Sequence, residues 1–145
     1  MMSSSIPVDT TTAAVVVPTE SHPAGPLRMQ IILRRDLFEN LGWPVGPLMA
    51  QASHASTAVL HQFKDEPNVQ TYLEDLPNMR KLVYQTTDMN TLQKTIDHLE
   101  TTGSKYFLWM EQPENYPTAL AIVPNRKDNK AVSKALHKGG CVLWK

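Results

Sequence analysis

At 145 residues the chain is one domain by length, able to bury roughly two-thirds of its unfolded surface, and 41% apolar with 19% charged residues fits a globular protein. A single cysteine, Cys141, excludes an internal disulfide and a cysteine-built metal cluster, and no apolar run approaches the roughly 20 residues of a membrane span. Fourteen basic residues balance fourteen acidic ones, which removes bulk attraction to nucleic-acid phosphate. The first 27 residues hold Asp9 and Glu20 but no Lys or Arg, so the remainder is slightly basic and a local phosphate-binding surface stays open.

Residues 1–27 are rich in Ser, Thr, Ala, Val and Pro, with Pro7, Pro18, Pro23 and Pro26 removing backbone donors, and are expected to form a disordered tail ahead of a folded domain at 28–145. The run Ala13–Val17 lacks a basic flank and is stopped by Pro18, so it does not read as a signal peptide. Nor is the tail an Arg-rich transit sequence. A cytoplasmic protein is expected, with mitochondrial import the second option.

Residues 29–35, a continuous apolar run ending in two arginines, predict a buried strand. A loop with Gly42, Trp43, Pro44 and Gly46 follows, and Pro47 suits the first position of a helix whose face is Leu48, Ala52, Ala55, Val59 and Phe63. A shorter helix is expected between Pro67 and Pro77, and a second strand over Arg80–Thr86. Asp88 caps a helix with the stripe Met89, Leu92, Ile96 and Leu99, closed by Gly103. Strands at Lys105–Met110 and Thr118–Val123 flank a proline-bearing acidic loop, Glu111–Pro117, and a last helix covers Asp128–Lys138. Alternating strands and helices predict an α/β domain: a four-stranded, largely parallel mixed sheet with helices on both faces and an antiparallel pair where the last link is short.

Polar groups that could carry chemistry gather on the first long helix. Gln51 and His54 are three residues apart and share a face, and the helix N-terminus suits an anion. By residue type alone His54 reads more readily as a core histidine bonded to a carbonyl. Glu111 follows the third strand, where it could activate a water, or be a solvated loop acid. Trp109 and Tyr116 suit stacking on a base or ribose, and suit a core as well. His54 and His61 lie about 10.5 Å apart along the helix, too far for one metal ion. No Gly-x-Ser-x-Gly elbow or phosphate-cradling glycine loop is present. Cys141, among Gly139, Gly140, Val142 and Leu143, reads as a buried structural thiol.

In order along the chain stand Arg35-Asp36-Leu37, Ala50-Gln51-Ala52-Ser53-His54-Ala55, Arg80-Lys81-Leu82-Val83 and Thr118-Ala119-Leu120-Ala121-Ile122-Val123-Pro124. This series resembles the type II peptidyl-tRNA hydrolases, the archaeal and eukaryotic form of that activity, from about Met29 to Lys145. The loop around Trp43-Pro44 and the segment Trp109–Asn115 mark a divergent branch. The resemblance implies metal- and cofactor-free hydrolysis of the ester between a peptide and the acceptor end of tRNA. In that reading Glu111 activates water, Gln51 and His54 polarise the ester carbonyl, and Lys81 and Thr118 bind substrate.

Two departures bear on activity. The family's Gly-Lys-Gly-Lys run is replaced by Pro44-Val45-Gly46-Pro47, leaving Arg34, Arg35 and Lys81 as the nearest cations by chain position. Its Asp-Ala-Gly-Arg-Thr loop is replaced by the shorter Glu111-Gln112-Pro113-Glu114-Asn115. The alternatives are a catalytically silent RNA- or protein-binding module, or hydrolysis of another acyl ester. The apolar strand edges allow a homodimer.

Overall fold

The computed structural model of the chain describes residues 22–145, so the tail expected over 1–27 falls outside the described residues up to position 21. Core packing begins at Leu27, which is 1% exposed, and Arg28 bridges to Asn125 ahead of the first strand.

The first strand, β1 (Met29–Arg34), is buried along its whole length, as a continuous apolar run at a sheet centre must be. It is followed by α1 (Arg35–Glu39), α2 (Val45–Gln62), α3 (Pro67–Glu74) and a single 3-10 turn at Leu76–Asn78. Next come β2 (Lys81–Thr86), α4 (Met89–Thr102), β3 (Tyr106–Glu111), β4 (Tyr116–Ile122), α5 (Lys130–Lys138) and β5 (Val142–Leu143). The sheet order is β3-β4-β1-β2-β5. Only β1 and β2 are parallel; the β1/β4, β3/β4 and β2/β5 pairs are antiparallel.

The two faces of β1 organise two layers of core. Met29, Ile31 and Leu33 pack with Ala55 and Val59 of α2 and Tyr72 of α3. Ile32 packs with Leu92, Ile96 and Leu99 of α4 and with Val132 and Ala135 of α5. The α4 start is a capping box: the Asp88 carboxylate accepts from the Thr91 N–H while the Thr91 hydroxyl accepts from the Asp88 N–H. Gly103 ends the same helix at a positive φ of 69°, where a side chain would be strained.

Three expectations are corrected. The sheet has five strands rather than four, because Val142-Leu143 adds an edge too short to leave a periodic signal. It is mixed, as expected, but mostly antiparallel rather than largely parallel, with β1/β2 the one parallel pair. The expected strand end at Arg35 instead opens α1, a helix of five residues, shorter than the window that periodicity needs.

Candidate active site

The C-terminal ends of β1 and β3 and the start of β4 lie at the same end of the sheet, and the N-terminal half of α2 crosses above them. Strand alternation puts Phe107, Trp109 and Glu111 of β3 on the α2 side. Because α2 runs opposite to β3, Gln51 stands over Glu111 and, one turn on, His54 stands over Trp109.

Gln51 is 3% exposed and both ends of its amide are used. Its Nε2 donates to Glu111 Oε2, and its Oε1 accepts from the Thr118 hydroxyl at 2.7 Å. Reversing the amide would set its oxygen against the carboxylate, so the network fixes one orientation. Glu111 Oε1 also accepts from the Gln112 N–H at 3.2 Å. The half-buried carboxylate keeps lone pairs for a further donor such as water.

Thr118 reaches this site through an irregularity of the sheet. Trp109 pairs with Ala119 and Met110 with Pro117, which leaves Thr118 without a cross-strand partner. Leu120 packs on the α4/α5 side, and regular alternation would send Thr118 there too. The bulge turns it toward Gln51 instead.

His54 is exposed, which ends the core-histidine reading. Its imidazole stacks on the Trp109 indole with centroids 4.6 Å apart and planes 21° from parallel. Neither ring nitrogen has a hydrogen-bond partner among the described residues. Behind the site, Arg34 is buried and clamps the start of β4. Its guanidinium donates to Pro117 O at 2.9 Å and to the Tyr116 hydroxyl at 3.1 Å, and pairs with both Asp36 oxygens at 2.7 and 3.1 Å. Burial alone would lower its pKa; the Asp36 and Tyr116 partners outweigh that, and the net shift is upward.

The structure therefore brings together Gln51, His54, Glu111 and Thr118. It does not bring Lys81. That residue pairs with Met29 at the far end of the parallel strands, roughly 16 Å from the level of Arg34 at about 3.3 Å per residue. Its ammonium lies over the Tyr72 ring at 5.7 Å, and desolvation there lowers its pKa. The other cations near in sequence are also engaged: Arg34 as described, and Arg35 with Glu39 at 2.8 Å and over the Trp144 ring at 4.4 Å. Glu111, expected in a loop, is the last residue of β3, which gives it a strand's positional definition. Arg34 was legible as an arginine closing a largely apolar strand and as one of the nearest cations by chain position, but not as the clamp on β4. Cys141 packs against the α4/α5 core and its thiol is pushed up by burial, as suits a structural cysteine.

Among the described residues no group of three or more His, Cys, Asp or Glu side chains comes together, and no helix is long and apolar enough to cross a membrane. Comparison with known proteins bears on the same region. Residues 27–138 match the family described as peptidyl-tRNA hydrolase PTH2. The chain is 41% identical over 99 residues to the Homo sapiens protein named "Putative peptidyl-tRNA hydrolase PTRHD1", covering 68% of this chain and 71% of that one. It is 41% identical over 109 residues to the Mus musculus protein of the same name, covering 74% and 76% respectively.

Proposed function

Because the chain belongs to the PTH2 peptidyl-tRNA hydrolase family, we propose that it cleaves the ester between a peptide and the terminal ribose of tRNA by direct attack of water. The observation that carries this reading is the hydrogen-bonded series Thr118–Gln51–Glu111, which holds a half-buried strand-end carboxylate one helical turn from the exposed His54. Glu111 takes a proton from water as the water oxygen bonds to the carbonyl carbon. The carbonyl electron pair moves to its oxygen, where an N–H of His54 hydrogen-bonds the developing charge. Collapse breaks the bond to the ribose oxygen, and that oxygen takes the proton held by Glu111. The products are a free peptide acid and a tRNA hydroxyl.

Gln51 acts differently from the expectation that it polarises the carbonyl. Both ends of its amide are committed, so it positions Glu111 and links it to Thr118. Thr118 in turn supports the site from beneath, and Lys81 takes no part in bond breaking at its distance. The test is single-turnover release of peptide from a defined peptidyl-tRNA with EDTA present. Release well above the spontaneous rate is expected; release at the spontaneous rate overturns the proposal.

One observation favours a second reading. Among the described residues Glu111 makes no ion pair, and Pro44-Val45-Gly46-Pro47 at the α2 start supplies no cation to the site. A chain that binds the tRNA acceptor end without hydrolysing it has no need of one. Retained tRNA binding with no release in the same assay selects that reading.

A further inference from the structure

The proposed reaction uses an edge of the His54 imidazole and leaves one of its faces without a task. One face is covered by Trp109 at 4.6 Å, and because the residue is exposed and has no other ring contact among the described residues, solvent reaches it from the opposite side. We infer that this open face is the platform for the nucleobase at a single-stranded RNA 3′ end, the terminal adenine where the RNA is tRNA. The inference rests on the proposed function for its choice of RNA as ligand.

Three features lead to a base rather than another group. Trp109 and His54 already form a near-parallel pair, so a third ring continues an existing stack, and stacking on aromatic faces is how proteins hold unpaired bases. The buried indole Nε1 finds no acceptor among the described residues, so packing between His54 and Phe107, not a hydrogen bond, holds the ring in place. The Glu111 carboxylate lies one helical turn away, beneath Gln51, and its charge opposes a phosphate at that point. The part of an RNA end that fits beside it is uncharged: the terminal base with its ribose ester. Three residues of helix separate His54 from Gln51, about 4.5 Å along the axis, so a base on His54 lies within one helical turn of the residue that holds Glu111.

The test is titration of the full chain with the trinucleotide CCA and with the same trinucleotide lacking its 3′ base, using wild type, His54→Ala and His54→Phe. Wild type is expected to prefer CCA. His54→Ala is expected to weaken CCA binding by about fivefold or more and to erase the preference. His54→Phe keeps a ring face without the nitrogens and is expected to retain most of the affinity. Equal binding by wild type and His54→Ala overturns the inference, as does His54→Phe binding as weakly as His54→Ala, or no binding of CCA to wild type. Hydrolysis is read separately on intact peptidyl-tRNA. Binding of CCA through His54 without hydrolysis keeps the platform and removes the activity; hydrolysis without preference for the terminal base does the reverse.

Discussion

Gln51 shows how much one buried amide can settle. It has a donor end and an acceptor end, and the Glu111 carboxylate and the Thr118 hydroxyl fit them in only one orientation. Gln51→Ala leaves the Thr118 hydroxyl buried without its acceptor, and the expected cost is about 1–3 kcal/mol in chemical denaturation. If peptidyl-tRNA is the substrate, the same variant lowers kcat with KM little changed, because the carboxylate loses its aim and the RNA keeps its contacts. A purely structural Gln51 would lower the stability and leave kcat per folded molecule intact. At this scale the sequence supplied the residue types and the i, i+3 spacing of Gln51 and His54. It did not supply the pairing with Glu111, 60 positions away, because nothing local encodes which strand passes under a helix.

The elements divide by how local their causes are. The α4 helix was readable end to end, since Asp88, the Leu92-Ile96-Leu99 stripe and Gly103 lie within its own span. Asp88→Ala removes the side-chain acceptor of the Thr91 N–H and is expected to cost about 1 kcal/mol in thermal or urea unfolding. The α4/α5 contact, by contrast, depends on a close approach that no local pattern announces. A Cβ added at Gly139 would meet the Thr95 hydroxyl at 1.8 Å and Thr91 O at 3.0 Å. Thr95 is buried and has little room to yield. Gly139→Ala is therefore expected to destabilise by about 1–3 kcal/mol, measured by the same unfolding experiment. The bulge that frees Thr118 was equally invisible, because it is a property of two strands in register rather than of either one.

For the whole molecule, the alternation of helices and strands gave the layered α/β architecture, while the short α1 and β5 were lost and most of the expected parallel pairing proved antiparallel. The integrity of the assembled core has its own pH signature. Burial raises the Tyr72 phenol from 10.0 to about 12, and its hydroxyl donates to Arg80 O at 2.9 Å. A folded-state pKa above the unfolded one means that this contribution is complete below pH 10.0 and is lost as pH rises toward about 12. Stability is expected to fall across that window, and Tyr72→Phe is expected to flatten the fall in alkaline unfolding followed by circular dichroism. An equally steep fall in the variant would place the cause elsewhere. In the proposed reading the reaction turns on the Glu111 carboxylate that Gln51 holds one helical turn from His54, and the most direct test replaces that carboxylate alone. Glu111→Gln keeps the side chain's size and an oxygen for the Gln51 amide, leaves the exposed Gln112 N–H to water, and removes the base. Single-turnover peptide release from peptidyl-tRNA is predicted to drop by about a hundredfold or more, with unfolding and tRNA affinity unchanged. Release at the wild-type rate by Glu111→Gln would contradict the account.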